Sequence, residues 1–554
     1  MEVLSERHLS RRQLIRSGAT ALAAGSSLPL VSACSRTDRA RLTHAPNVLN
    51  RGNGADISSL DPHFISGNWE AYVIGDCLLG LTTEGPDGGA IPGAAERWET
   101  SSDGRTWTFY LREHRWSDGA KVTADDFVFA WRRILDPMMA APYAYYLYVV
   151  KNARDINKGK APANTLGIVA KDERTLVVEL TEPAPYLPEW LQHQTTWPVP
   201  RHTVLAKGRA WSRPGNFVAN GPYVPASWVP NDRVVLKKNP LFYEASRVRI
   251  ATVNYFPTQD NQAALKQMVA GELDIQEPFP IAAIDWLHRN MPAELDVRPN
   301  LSNAYLIFNF RKPQFQDKRV REAMCLAYDR ETIANKILKL GDTPAYAFVP
   351  PGTANYPGGA SLDFKHVTMA ERVKRARALM SAAGYGADNH LRTTYLTVPN
   401  PDVQRTAAVI QAMMRRIFVD LEISSVDASI FYKTLANHDF ELAPSSWIGD
   451  FNDASTFLDL LYSGNGNNYG SYSSSRFDRL YETAKLQSDA AQRGALMAQA
   501  EQVALDDFAV IPARFRQSQN LVEPYVKGWR SRTPNLRNFH RTRWLWIEPV
   551  AVTT

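Results

Sequence analysis

Residues 390–426 read HLRTTYLTVPNPDVQRTAAVIQAMMRRIFVDLEISSV, and this stretch decides the fold class. Thr394, Leu396 and Val398 alternate as one face of a strand, and Ala407, Ile410, Met414 and Ile417 then recur at helical spacing. Leu421 and Ile423 return to the two-residue period. Strand, helix and strand in that order form a βαβ unit. Such a unit favours a parallel sheet covered by helices, because parallel strands need a long crossover between them.

The same alternation extends in both directions from this unit. RTWTFYLRE puts Trp107, Phe109 and Leu111 on one strand face, and RTLVVELTE does the same with Leu176, Val178 and Leu180. Between them, VTADDFVFAWRRILDP carries Thr123 and Asp126 at capping-box spacing. Phe127, Ala130, Trp131 and Ile134 follow at helical spacing, and the helix is predicted to stop before Pro137. DKRVREAMCLAYDRETI aligns Val320, Ala323, Met324, Ala327 and Tyr328 as the core face of another helix. Pro- and Gly-rich loops punctuate the chain around residues 195–200, 220–222, 349–360 and 463–470.

A chain of 554 residues is too long for one ordinary core and should form about two to four domains. Its 44% hydrophobic and 22% charged content is that of a folded, soluble body. The formal charge of +6 does not imply nucleic-acid binding, since 57 acidic residues are interleaved with 63 basic ones. The C-terminal run GWRSRTPNLRNFHRTRWLW alternates arginine with aromatic and apolar residues, and reads as a basic-faced segment packed on a domain. Cys34, Cys77 and Cys325 form no CxxC or Cys/His ligand spacing, so no metal site is expected. HExxH, GxSxG and GxxxxGK are all absent, and the carboxylate pairs Asp125-Asp126 and Asp506-Asp507 sit where a cap or a solvated helix face explains them. No catalytic residue and no cofactor is expected, and the chain does not read as an enzyme.

The N-terminus reads MEVLSERHLSRRQLIRSGATALAAGSSLPLVSAC, a basic region, a mildly apolar small-residue region and a cysteine. This is an export signal over residues 1–34 rather than a transmembrane helix. Arg11 and Arg12 in SRRQLIR resemble the twin-arginine motif, although the Sec route fits as well. Val31-Ser32-Ala33-Cys34 resembles a bacterial lipobox, in which the Cys34 thiol is diacylated and becomes the mature N-terminus. Acyl chains supply the membrane affinity that the body lacks, and residues 35–46 would form a tether.

NRGNGADISSLDPHF, AAERWETSSDGRTWTFYLREHRWSDGAKVTADDFVFAW, NGPYVPASWVPNDRVVLKKNPLFY and GELDI follow one another, with VREAMCLAYDRETI and WIGDFNDASTFL after them. In order and coverage these blocks resemble the family-five extracellular solute-binding proteins of ABC importers, most closely the periplasmic oligopeptide-binding proteins. The resemblance implies an α/β fold, a two-lobed periplasmic-binding-protein clamshell (type II, cluster C) with an extra domain inserted in lobe one. Lobe one would comprise residues 47–78, 201–301 and 518–554, the inserted domain 79–200, and lobe two 302–517. Two chain crossings between the lobes would act as a hinge.

By the same resemblance, the protein would capture oligopeptides and deliver them to ABC permease subunits. It would work as a monomer in the periplasm or on the outer face of the cytoplasmic membrane. The peptide would be held as an added strand, with main-chain contacts from Trp447, Ile448 and Gly449 and its α-ammonium on Asp450. Asp453 is the better candidate for capping the helix that follows, which leaves Asp450 free. Lys312 is the one basic counterpart of the family residues that meet the peptide carboxylate, whereas Leu435, Pro444 and Val403 fall where other members carry Arg or His. Ser302 and Ile448 occupy positions that carry a disulfide in some relatives, a crosslink that cannot form here. The same fold could instead hold a non-peptide solute such as a nickel chelate, haem or a sugar derivative. The lipobox leads to a direct expectation: Cys34→Ala should move the protein from the membrane to the soluble fraction and abolish acylation by mass spectrometry. A wild-type protein found soluble and unacylated would refute the anchor.

Overall fold

A computed structural model describes residues 47–65, 67–530 and 535–548. The leader, the lipobox and Cys34 lie outside the described residues. Two large sheets organise the body. The first has seven strands, in the order Leu295–Asp296, Asn520–Val522, Ile275–Gln276, Val48–Gly52, Thr252–Phe256, Arg233–Lys238 and Tyr223–Val229. The second has six, in the order Thr343–Pro344, Val510–Gln517, Pro299–Phe308, Leu442–Ile448, Leu391–Thr397 and Val419–Ser425. These are the cores of the two lobes.

A separate four-stranded antiparallel sheet carries Ala95–Thr100, Thr106–Leu111, Thr175–Glu179 and Ile168–Asp172. Trp107, Phe109 and Leu111 are buried on one face of it, as the alternation predicts. The helix Ala124–Ile134 packs on this sheet, and its capping box joins Thr123 to Asp126. Sheet and helix form an inserted domain whose core is continuous with that of the seven-stranded sheet.

The βαβ unit is present as Leu391–Thr397, Pro401–Arg415 and Val419–Ser425, with the two strands parallel in register from Leu391↔Val419 to Thr397↔Ser425. Its first strand begins earlier and ends sooner than the alternation of Thr394, Leu396 and Val398 implies. Leu391, Thr393 and Tyr395 form the continuously buried row, and Thr394 is only half-buried. Arg392 is exposed at the start of the strand, and only toward its end are both faces covered, where Tyr395 and Leu396 enter different hydrophobic clusters. Pro299–Phe308 shows the same effect: Leu306 and Phe308 enter one hydrophobic cluster while Tyr305 and Ile307 enter another. Helices Lys318–Ala327 and Met369–Ala382 cover the first of these faces, and Ser475–Lys485 and Ala490–Asp506 cover the second.

The chain passes between the two sheets at residues 297–298 and again at 518–519, next to each other. Ser518 N–H donates to Arg298 O at 2.8 Å, and Arg298 N–H donates to Ser518 Oγ at 3.2 Å. Cys77 and Cys325 are both free and buried, in different clusters. Ser302 stands directly opposite Ile448 in the strand register. No helix among the described residues is long and apolar enough to cross a membrane.

Buried ion pairs fasten the C-terminal segment to the inserted domain. Arg541 grips Glu84 with Nε at 3.0 Å and Nη2 at 2.6 Å, and both side chains are buried. Burial alone would push the Glu84 carboxyl up, but the Arg541 guanidinium more than offsets it and holds the carboxyl below its ordinary value. Arg541→Met would strand a buried carboxylate, at a cost of about 3 to 5 kcal/mol measurable by chemical denaturation. In the wild type the contribution of this pair is complete above the ordinary value of 4.5 and is lost as the pH falls through the depressed folded value.

Candidate functional site

Leu442–Ile448, with sequence LAPSSWI, is paired along one edge only. Toward Pro299–Phe308 it is matched through seven positions, from Phe308↔Leu442 to Ser302↔Ile448. Toward Leu391–Thr397 it meets a partner at Tyr395↔Leu442 alone, after which the two strands diverge. From Ala443 to Ile448 the second edge is therefore open. Pro444, which has no N–H to give, suits such an edge. An open edge offers main-chain groups to an added strand.

Pro444, Ser445, Ser446 and Ile448 line a cavity of about 960 Å³, and Trp69 and Tyr72 contribute to its wall from the first lobe. That volume lies at the upper end of the range for sites that enclose small ligands. Ile448 turns its side chain toward the cavity at 43% exposure. Trp447 instead packs partly against the apolar cluster behind the sheet and contributes to the edge through its backbone.

The strand ends in a tight turn that positions Asp450. Trp447 Nε1–H and Asp450 N–H both donate to Thr456 Oγ1, at 3.1 and 3.2 Å. Gly449 N–H donates to Leu301 O at 2.8 Å, and a Cβ at Gly449 would stand 2.7 Å from Leu301 Cδ2, so a larger residue here would have to displace that side chain. Asp453 accepts from Ser455 N–H at 2.9 Å and forms a buried ion pair with Arg493 at 2.5 Å. Its charge is thus already met. Among the described residues no ion pair or hydrogen bond ends on the Asp450 carboxylate.

Burial pushes the Asp450 carboxyl up to about 6, against a pull from Arg537 and with a further push from Asp459. The surrounding wall is aromatic. Tyr143, Tyr145 and Tyr146 of the inserted domain all sense the Asp450 charge, Tyr143 stacks on Tyr145 at 5.6 Å, and Tyr146 is held between Trp190 and His193 at 4.4 and 4.3 Å. Phe451 closes the turn by stacking on Tyr186 at 4.8 Å. A carboxylate backed by phenol rings in a partly dry recess is chemically suited to a cation.

The remaining expected residues fall in different places. Val403 and Pro444 line the cavity, whereas Leu435 is fully buried behind the sheet. Lys312 follows the far end of Pro299–Phe308, at the start of the short helix Pro313–Gln316, and is not a lining residue. The six residue steps from Ser302 to Phe308 alone put it roughly 20 Å or more along the strand from the Ile448 end. Arg514, Arg516 and Arg537 line the cavity and were not anticipated. The alternation in ARFRQ is the one sequence signal that marks Arg514 and Arg516 as sharing a strand face. Among the described residues no group of three His, Cys, Asp or Glu side chains could hold a metal.

Residues 89–469 match the family model described as bacterial extracellular solute-binding proteins, family 5. The chain belongs to this family. It is 36% identical to the periplasmic oligopeptide-binding protein OppA of Salmonella typhimurium over 496 residues, 88% of this chain and 90% of the relative. It is 34% identical to the probable deoxycholate-binding periplasmic protein YgiS of Escherichia coli, over 88% and 91% of the two chains. Among solved structures, Haemophilus influenzae OppA in complex with RPPGFSPFR superposes with a TM-score of 0.76 at 32% identity, over 91% of this chain and 99% of that one. The Escherichia coli murein tripeptide binding protein MppA gives 0.78 at 31% identity, over 91% and 99%. The family is one of binding proteins, and the relatives named as OppA and YgiS are periplasmic.

The raised Asp450 carboxyl makes the empty site pH-sensitive. Because the folded form holds this proton more tightly than the unfolded chain, with its ordinary value of 3.8, the favourable contribution is complete below 3.8 and is lost as the pH rises through about 6. Asp450→Asn should therefore stabilise the ligand-free protein by about 1 to 3 kcal/mol at about pH 7.5, with no gain below about pH 4. Thermal melts of ligand-free wild type and variant across this range would measure it.

Proposed function

We propose that the protein is a periplasmic receptor that captures short peptides and delivers them to an ABC permease. The observation that carries this reading is the open edge Ala443 to Ile448, which ends two residues before the buried Asp450, whose carboxylate has no hydrogen bond or ion pair among the described residues. An added strand gives affinity without sequence preference, since every peptide presents the same N–H and C=O groups. The α-ammonium is the one cation shared by nearly all peptides, and Asp450 in its tyrosine wall is suited to receive it. Relatives named for oligopeptides, one of them solved with a nonapeptide, support the same ligand class.

Residues 47–78, 201–298 and the chain after 518 serve as lobe one, 79–200 as the inserted domain and 299–517 as lobe two, the strand Pro299–Phe308 belonging to the six-stranded sheet. The adjacent crossings at 297–298 and 518–519 act as the hinge about which the lobes close on ligand. Lys312, off the cleft wall, is left to meet only the far end of a longer peptide. Anchored by acylated Cys34, the protein works as a monomer on the outer face of the cytoplasmic membrane.

Asp450→Asn should weaken peptide binding by roughly two to four orders of magnitude, the effect of removing one partner of a buried charge pair. N-acetylation of the same peptide should do likewise. Isothermal calorimetry with free and acetylated forms of one peptide, chosen from ligands released by denaturing the natively purified protein, decides the matter. If both changes leave affinity untouched, the amine anchor is wrong. A non-peptide solute, the class named for the deoxycholate relative, then takes precedence.

A further inference from the structure

Three arginines and two carboxylates, Glu277 and Asp402, line the cavity, and their partners differ. Glu277 is met by Arg51 at 3.6 Å and by Asn538 Nδ2–H at 2.9 Å, and Asp402 by Arg405 at 2.6 Å. Arg537 donates to Gln192 Oε1 at 2.8 Å and shares the field of Asp450. Arg514 holds Asp342 through Nε at 2.6 Å, and the other oxygen of Asp342 accepts from Gln517 N–H at 2.9 Å. Arg516 is left over: among the described residues its guanidinium has neither a hydrogen bond nor an ion pair.

Strand geometry directs this cation at the ligand. Along Val510–Gln517, Arg514 and Arg516 alternate with Phe515, which is buried, so both arginines share the face that lines the cavity. Arg514 is opposite Ala304, which is opposite Ser446, and Gln517 is opposite Pro299. Arg516 falls beside the bulged stretch between Pro299 and Asn303, near the Ser302↔Ile448 pair and two strand spacings or roughly 10 Å from the open edge. This is the Asp450 end of the strand. The ionisable groups around the guanidinium are Arg514, Asp342 and Tyr432, and burial together with Arg514 opposes its charge more than Asp342 relieves it.

We infer that Arg516 forms a carboxylate-reading subsite of the cleft, selecting peptides that carry an anionic group within the first few residues of their amino terminus. The inference rests on the peptide reading above and gives it a substrate class. An Arg fork binds a carboxylate through two parallel N–H donors, and it gains most where it is half withdrawn from water and has no partner of its own. Two parts of a peptide supply that carboxylate: an Asp or Glu side chain near the amino terminus, or the C-terminus of a di- or tripeptide.

Calorimetry on the full-length protein with trialanine, with variants carrying Glu or Gln at each position in turn, and with C-terminally amidated versions separates these sources. The wild type should prefer Glu to Gln at one position, or free carboxylate to amide, by about ten- to a hundredfold. Arg516→Met should erase that ratio, and Arg516→Lys should keep part of it. Because the ratio is taken within each protein, a general loss of affinity in a variant cancels, and thermal melting verifies that each variant is folded. If wild type binds Glu and Gln peptides, free and amidated, equally well while still demanding a free α-ammonium, the subsite is refuted and the peptide reading stands. If no peptide binds wild type at all, the peptide reading falls and takes the subsite with it.

Discussion

The strand Leu442–Ile448 is bonded to a neighbour on one side and deserted on the other after its first residue. Main-chain groups left without partners in a cleft are costly, and a fold can hold them only if the rest of the strand is fixed by other means. Here the fixing is done by seven register positions with Pro299–Phe308, itself buried on both faces, and by two helix layers that cover the sheet. The open edge exists because everything around it is closed.

Two aspartates three residues apart illustrate how environment divides labour within one turn. Asp453 is buried against Arg493 and bonded to Ser455, and it keeps the short helix Ser455–Leu458 in place. Asp450 is reached through a glycine that permits close approach to Leu301 and through a threonine that ties down both Trp447 and the turn. One carboxylate is satisfied within the protein, and the other has no partner among the described residues.

Local chemistry was legible wherever local forces govern. The capping box at Thr123 and Asp126, the buried row Trp107, Phe109 and Leu111, and the parallel βαβ unit all follow from short-range pattern. The burial row of Leu391–Thr397 was not legible, because its buried positions include Thr393 and Thr397 and its end is covered on both faces, at Tyr395 and Leu396. Asp450 and its neighbours were found through the order of sequence blocks rather than through spacing. Tyr143 and Tyr145 come from far upstream in the chain and Arg537 from its C-terminal segment, and no periodicity in those segments announces the assembly. The placement of Lys312 after the far end of the strand Pro299–Phe308 is likewise given only by the register.

Cys77 closes the helix Asn68–Cys77 in one apolar cluster, and Cys325 sits inside the helix Lys318–Ala327 in another. Burial pushes both thiols up, so neither supplies an appreciable amount of the thiolate that oxidants and disulfide-exchange enzymes attack. With Ser302 facing Ile448, no thiol is available to tie the ligand-bearing strand to its neighbour either. Among the described residues both cysteines are free, and once the body has folded burial keeps these two thiols from oxidants.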